Sequence, residues 1–203
     1  SFLVEARFEP TPQGSSNTTY FVDTPEHRFV LKFYTSTTET AQIHYEHSLL
    51  TFLQHANLPF AIPVPICTAC GETFISVKVN GQSLTVALLP CLIGQPMDRR
   101  NLDQIQSAGF SLAQLHHPLG NKLARLPSWG DLGQIHPQIR DPLTVPQMLN
   151  LGLEEQRHLD RLLNEVIEVA PHLYTTLPVQ TIHADYITPN ILVENDRVVG
   201  ILD

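Results

Sequence analysis

The chain has 203 residues, of which 42% are hydrophobic and 16% are charged, and its formal net charge is -8. This composition excludes an intrinsically disordered chain, and the acidic balance argues against a surface for nucleic acid or an anionic membrane. The length allows one ordinary domain or two small lobes. The longest apolar stretch, residues 84–94, contains Pro90 and is too short to span a bilayer. The three cysteines cannot form an even set of disulfides, which favours a reducing, cytoplasmic setting.

The first half of the chain is predicted to be rich in strands. Runs of β-branched and aromatic residues, separated by turn-forming residues, indicate strands at residues 2–8, 19–23 and 28–34. The next segment carries an apolar stripe and predicts a helix over residues 39–56, and the prolines at 59–65 exclude a helix there. Two or three further strands are predicted near residues 66–67, 73–79 and 84–89, with Asn80-Gly81 as a hairpin turn.

The second half is predicted to be mainly helical. An apolar face predicts a helix that begins after Asn101 and ends at Pro118 and Gly120. A second helix is predicted over residues 153–170, with Pro171 as its stop.

The terminal segment is predicted as a strand at residues 179–182, a loop and a short apolar hairpin, while residues 121–152 allow no assignment. The change from strands to helices places a boundary near residue 94. We therefore predict an N-terminal lobe over residues 1–94 and a C-terminal lobe over residues 95–203.

Cys67 and Cys70 form a CxxC pattern, which is half of a zinc site or a redox pair. A structural zinc site needs four ligands, and no second CxxC or paired histidine lies near in the sequence. A strand end followed by a turn at Gly71 is therefore the favoured interpretation.

The most informative motif lies at the end of the sequence. Asp185 and Asn190 are five residues apart in a predicted loop, and the apolar hairpin that follows ends on Asp203. A phosphoryl-transfer site needs this set of groups: one carboxylate near the attacking hydroxyl, and an amide with a second carboxylate for magnesium.

With strands and one helix preceding a helical half that bears this loop, the chain resembles the aminoglycoside phosphotransferase and choline kinase superfamily, closest to its homoserine kinase branch. The resemblance implies an α+β, bilobal, protein-kinase-like fold with a β-rich N-terminal lobe containing one helix and a truncated, mainly helical C-terminal lobe. The motifs that carry the resemblance are Asn17-Thr18-Thr19-Tyr20-Phe21-Val22, Phe29-Val30-Leu31-Lys32, Glu46, Leu112-Ala113-Gln114-Leu115-His116, and Ile182-His183-Ala184-Asp185 through Asn190 to Gly200-Ile201-Leu202-Asp203.

The resemblance implies ATP and magnesium as cofactors. Lys32 would hold the nucleotide phosphates as a point charge, and Glu46 would hold Lys32; Glu39 is the rival for that role, at the predicted helix start. Asp185 would orient the substrate hydroxyl and accept its proton. The metal ligands would be Asn190 and Asp203.

Two further parts of the site follow from the resemblance. A phosphate loop with a single glycine would use Ser15, Ser16 and Asn17. Between the lobes, the Leu89 carbonyl and the Cys91 N–H would contact adenine, because Pro90 has no donor.

Among the ten histidines only His183 is assigned a role, which is to pack under the loop and bond its backbone. The others are expected at the surface or at helix ends. Ala184 stands where many protein kinases have an arginine, which suggests that activity needs no phosphorylation of the chain.

Two classes of function stay open at this point. The first is an ATP-dependent kinase of a small-molecule alcohol, with homoserine or a related amino alcohol favoured and aminoglycoside-like or choline-like acceptors as alternatives. The second is a non-catalytic nucleotide-binding or partner-binding module, because the chain ends at Asp203 where the family continues. The same ending predicts an exposed apolar patch on the helical lobe, and therefore self-association or a completing chain.

Overall fold

The structure is a computed structural model. It describes residues 6–12, 17–79, 81–120, 145–176 and 180–202. Contacts between Cα atoms divide the chain into two compact units, Ser1–Leu119 with Ile182–Asp203, and Gly120–Thr181. The predicted boundary near residue 94 separates a strand-rich lobe from a helical lobe and does not coincide with this division, so it stays a prediction. Within the described ranges, no helix is both long enough and apolar enough to cross a membrane.

The first unit contains an antiparallel sheet of five strands. Their bounds are β1 Arg7–Pro10, β2 Thr18–Asp23, β3 Arg28–Tyr34, β4 Ile75–Val79 and β5 Gln82–Pro90. The strands lie in the order β1-β2-β3-β5-β4. β3 is therefore central, and side chains at alternate positions along it face opposite sides of the sheet.

One helix, α1 (Thr40–Gln54), packs on this sheet. Glu39 is its N-cap and forms a capping box with Gln42. Ile43 of the helix is 1% exposed, and it packs against Tyr34 and Ala87 of the sheet. This packing fixes the helix over one face of β3.

A smaller antiparallel sheet and a second helix complete the first unit. The sheet has the order β6-β7-β8, with β6 at Gln95–Pro96, β7 at Ile191–Glu194 and β8 at Arg197–Ile201. The helix, α2, spans Leu102–Leu119, so Pro118 lies within its last turn and not beyond it.

The β7–β8 hairpin is attached to α2 by polar contacts. Its turn residues Asn195 and Asp196 have φ values of 49° and 61°, as a type I′ turn requires. Asp196 Oδ1 accepts hydrogen bonds from the side-chain amides of Asn101 (2.8 Å) and Gln104 (2.9 Å).

The hairpin and α2 also share the larger apolar core. The helix contributes Leu115 and Leu119, and the strands contribute Ile191 and Ile201, all of which are nearly inaccessible. The remaining buried members of this cluster are Leu53, Phe60, Ala108, Val193 and Val198. The predicted α+β class is thus confirmed.

The second unit contains α3 (Val145–Met148) and α4 (Leu153–Thr176). Pro171 lies inside α4, so the prediction that it ends this helix was wrong. A proline inside a helix costs about 3 kcal/mol relative to alanine. The helix nevertheless continues beyond Pro171 to Thr176.

Two predicted strands are not formed. Residues 62–68 have no regular structure, and Ile66 makes a single strand-like contact, donating its N–H to the Leu88 carbonyl at 2.8 Å. Because Pro63 and Pro65 carry no N–H, this segment cannot build a ladder. Residues 180–182 are not a strand either, and Val179 lies outside the described residues.

Apolar side chains are exposed on α2, as expected for the helical half. Leu102, Ile105 and Phe110 are 78%, 42% and 68% exposed. Self-association through such residues stays a prediction.

Candidate active site

Lys32 and Glu46 form an ion pair between β3 and α1, with 3.0 Å between Nζ and Oε1. The alternation of β3 turns Lys32 toward the helix, and the residue is only 5% exposed. Burying an ammonium group costs several kcal/mol unless a countercharge accompanies it. Glu46 supplies that countercharge, whereas its rival Glu39 is at the helix N-cap.

The ion pair is part of a longer polar network that the sequence did not predict. The Tyr34 hydroxyl lies 3.1 Å from Glu46 Oε1 and 2.8 Å from His47 Nε2. On its other side, His47 Nδ1 lies 2.8 Å from Thr73 Oγ1. His47 is 2% exposed, so its assignment to the surface was wrong.

The predicted catalytic loop contains a 3-10 turn over Thr188–Asn190, with a proline in its first turn. This turn brings Asn190 back onto Asp185. The Asn190 side-chain amide donates to the Asp185 backbone carbonyl and to Asp185 Oδ2, each at 3.0 Å. The Ile187 N–H donates to the same carbonyl at 2.9 Å. The carboxylate and the amide of the motif therefore lie in contact.

His183 supports the loop from below, as predicted. Its Nδ1 accepts the Asp185 N–H at 3.3 Å, and its ring meets the Tyr186 ring edge to face at a centroid distance of 5.4 Å. The His183 N–H donates to Nε2 of His116 on α2, at 3.0 Å. His116 thus anchors the loop. Its place at the end of the Leu112–His116 motif was the available signal, but the sequence analysis predicted a residue at the surface or at a helix end.

Burial favours the uncharged forms of His116 and Tyr186, the two side chains that connect the loop to α2. Burial and the nearby His183 lower the pKa of the His116 imidazole, so it stays a neutral acceptor at neutral pH. The Tyr186 hydroxyl donates to the Ala108 carbonyl of α2 at 2.9 Å, and burial raises its pKa to about 12. The loop is therefore fixed to α2 at two points.

Asn190, one of the two predicted metal ligands, lies directly before β7 at the open end of the β7–β8 hairpin. The Leu202 N–H donates to the Asn190 backbone carbonyl at 2.8 Å, which ties the end of β8 to the start of β7. Asp203 lies outside the described residues.

The predicted adenine contacts lie where β5 ends. The Cys91 N–H donates to the Arg28 carbonyl of β3 at 3.2 Å. Antiparallel ladder bonds recur at every second residue, so Leu89, which pairs with Val30, also turns its polar groups toward β3. Both predicted contacts therefore face the neighbouring strand.

The predicted phosphate loop is described only at its end. Asn17 is half-buried at the bend that precedes β2, while Ser15 and Ser16 lie outside the described residues.

The donor set suits a hard cation. Since Nδ2 of Asn190 bonds to Asp185, its carbonyl oxygen is turned away from that residue, and amide oxygens are suitable ligands for magnesium. Among the described residues, no group of three or more His, Cys, Asp or Glu side chains could hold a metal. Cys67 and Cys70 are free and exposed at the turn predicted for them.

The site residues therefore fall into two contacting pairs, Lys32 with Glu46 and Asp185 with Asn190.

Comparison with known proteins identifies the family of this chain. Residues 7–203 match the model of the phosphotransferase enzyme family. The homoserine kinase of Methylobacillus glycogenes is 25% identical over 203 residues, which cover 94% of this chain and 55% of that protein. The homoserine kinase of Polaromonas naphthalenivorans is 30% identical over 198 residues, covering 94% of this chain and 57% of that protein. The chain thus spans about half the length of these curated relatives.

Solved structures share the fold. A microcompartment-associated aminopropanol kinase has a TM-score of 0.69 at 20% identity, covering 98% of this chain and 64% of that one. An amicoumacin kinase, solved in complex with AMP-PNP, Ca²⁺ and Ami, has a TM-score of 0.63 at 13% identity, covering 98% of this chain and 58% of that one. The predicted kinase-like fold is confirmed by these similarities.

Proposed function

Because this chain belongs to the phosphotransferase enzyme family, we propose that it transfers the γ-phosphoryl group of ATP to the hydroxyl group of a small molecule. The observation that carries the proposal is the 3.0 Å ion pair of buried Lys32 with Glu46. A lysine held beneath a sheet by one carboxylate is a fixed point charge, which is the group that a polyphosphate needs.

Asp185 is the proposed catalytic residue. It orients the acceptor hydroxyl and takes up its proton as the oxygen attacks phosphorus. The Asn190 amide bonds to the carboxylate and to the backbone carbonyl of Asp185, and so holds the carboxylate in place before the acceptor arrives. Preorganisation of this kind avoids reorientation during the reaction.

Asn190 and Asp203 are the proposed magnesium ligands. The bond between Leu202 and Asn190 supports this pairing, because it holds the residue before Asp203 against the backbone carbonyl of Asn190. When bound, magnesium and ATP would supply countercharge and the transferred phosphoryl group. Ser15, Ser16 and Asn17 remain the proposed phosphate loop.

The geometry leads us to revise the proposed adenine contacts. Since Cys91 and Leu89 face β3, the Pro90 carbonyl between them is directed away from β3, and Leu92 is the next residue at an alternate position. A carbonyl and an amide two residues apart match the donor and acceptor edge of adenine. We therefore propose Pro90 and Leu92 in place of Leu89 and Cys91.

Homoserine or a related amino alcohol is the proposed acceptor. Five of the curated relatives are homoserine kinases, and one structural neighbour is an aminopropanol kinase. Aminoglycoside-like and choline-like alcohols are the alternatives to be compared with it.

Binding and turnover are tested separately. We expect Mg-ATP to raise the melting temperature of the wild-type chain, and we expect phosphate transfer to homoserine to exceed transfer to aminopropanol, choline and an aminoglycoside. The Asp185→Asn variant should still bind Mg-ATP but lose about 10²- to 10⁴-fold in turnover, since it cannot accept a proton. The matched control is Asp103→Asn on the exposed start of α2.

The results discriminate between the two functions left open by the sequence. If Mg-ATP binds but no acceptor is phosphorylated, the chain acts as a nucleotide-binding module. If Asp185→Asn turns over as fast as the control, the role of Asp185 is wrong. If neither Mg-ATP nor adenosine binds, the proposed function fails entirely.

A further inference from the structure

The Tyr34 hydroxyl lies between the ion pair and a buried imidazole. It is 3.1 Å from Glu46 Oε1 and 2.8 Å from His47 Nε2. A carboxylate can only accept, so the single hydroxyl proton of Tyr34 points at Glu46. The hydroxyl oxygen must then accept the second bond, which requires a proton on Nε2 of His47.

This direction of bonding fixes the state of His47. With Nε2 protonated, Nδ1 of a neutral ring is an acceptor, and Thr73 Oγ1 at 2.8 Å donates to it. Every proton in the chain from Thr73 through His47 and Tyr34 therefore points toward Glu46. Each bond reinforces the next, as in other aligned hydrogen-bond chains.

The surroundings keep the His47 ring neutral. His47 is 2% exposed, and burial is the main cause that lowers the pKa of its imidazole. Lys32 and His44 lower this pKa further, while Glu46 acts in the opposite sense. The ring also packs edge to face on Phe74 at a centroid distance of 5.8 Å, so it is fixed by apolar contacts as well.

The network joins three separate parts of the first unit. Tyr34 lies two residues after Lys32 on β3 and faces α1 on the same side. Its ring is 5.0 Å from the Lys32 ammonium group, within the range of a cation–π contact. His47 follows Glu46 on α1, and Thr73 belongs to the connection before β4. Without the network, the half-exposed Glu46 carboxylate could swing on its side chain toward water.

We propose that Tyr34 and His47 are positioning residues that hold Glu46, and through it Lys32, in the orientation that binds the nucleotide phosphates. This inference rests on the proposed function. The proposed effect requires no contact with the nucleotide, because it passes through the oxygen of Glu46 that both Lys32 and Tyr34 contact.

The central test compares Tyr34→Phe with wild type in the full chain, by measuring dissociation constants for Mg-ATP and for adenosine. Losing a hydrogen bond to a charged group should weaken Mg-ATP binding about 10-fold. Binding of adenosine, which lacks phosphates, should stay within about 2-fold by the same reasoning. The control is Tyr20→Phe, because Tyr20 pairs with Leu31 and so lies on the other face of the sheet from Lys32.

A double-mutant cycle separates positioning from general loss of stability. In a Glu46→Gln background, Tyr34→Phe should add no further loss of Mg-ATP binding, since the group it positions has been altered. An equal loss in both backgrounds overturns the proposal, as does unchanged Mg-ATP binding by Tyr34→Phe alone. If the wild-type chain binds neither ligand, the proposed function and this inference fall together.

The protonation of the two ring nitrogens of His47 can be tested in the wild-type chain, with no ligand and no substitution. Nitrogen-15 NMR of the wild-type imidazole should show Nε2 protonated and Nδ1 unprotonated at neutral pH. A proton on Nδ1 instead would reverse the bonding direction and make Tyr34 a donor to His47. That result would overturn the inference while leaving the proposed function intact.

Discussion

The turn at Gly94 offers the sharpest test of how the two sheets are joined. Gly94 precedes β6 and has a φ of +146°, which L side chains rarely adopt. A Cβ built there would lie 2.8 Å from Leu192 Cβ and 3.0 Å from Val199 Cγ2. The first distance cannot be relieved by rotating a side chain, because a Cβ is fixed by its own backbone.

The Gly94→Ala substitution should therefore strain both the core and the backbone. Overpacking costs about 1–3 kcal/mol, and an unfavourable φ adds roughly 1 kcal/mol or more. A total near 3 kcal/mol should lower the melting temperature by about 6–12 °C in a protein of this size. Thermal and urea denaturation of the purified full chain would measure the change.

A second glycine provides the control. Gly109 lies within α2, and no atom of the described residues would contact a Cβ at that position within 4 Å. Gly109→Ala should stabilise the chain by about 0.5–1 kcal/mol, because alanine loses less backbone freedom in a helix. If Gly94→Ala melts at the wild-type temperature or above it, the close approach of the β6 turn to β7 is refuted.

Two further predictions concern the attachment of the loop and of the hairpin to α2. Because the folded-state pKa of His116 lies below its ordinary value of 6.5, the unfolded chain takes up the proton first, and stability should fall as the pH drops below about 6.5. His116→Gln should flatten that part of a urea-denaturation pH profile, and an unchanged slope would contradict a neutral acceptor for the His183 N–H. Asp196→Ala removes the acceptor for the side-chain amides of Asn101 and Gln104 and should destabilise the chain by about 1 kcal/mol, whereas Glu194→Ala on the exposed end of β7 should be neutral within about 0.5 kcal/mol. Equal effects of these two substitutions would show that the amide contacts contribute nothing.

Local patterns predicted the elements that depend on local chemistry. Alternation of aromatic and β-branched residues predicted β2 and β3 within one residue of their ends. The Lys32–Glu46 contact joins residues only 14 apart, and the family resemblance implied it. The Asp185–Asn190 contact lies within one short predicted loop, but the sequence analysis gave the two residues separate roles and predicted no contact between them.

Contacts made by burial were not predictable in this way. His47 looks like any polar helix residue until β3 and the residues before β4 close around it. The bond from the His183 N–H to His116 joins residues 67 apart, and nothing in either local sequence marks the acceptor. The helix also continues through Pro171, which shows that the context of a long helix can outweigh one residue's preference.

The position of the β7–β8 hairpin late in the sequence also affects how the chain folds during its synthesis on the ribosome. Its bond from Val198 to Ser107 closes a loop of 91 residues, and the core of α2 is incomplete until that loop closes. At synthesis rates of about 5–20 residues per second, α2 waits roughly 5–18 seconds for its partner strands. During that interval Leu115 and Leu119 lack the strands that bury them in the folded chain. Chaperone capture of nascent chains should therefore be strongest between the emergence of α2 and that of β8.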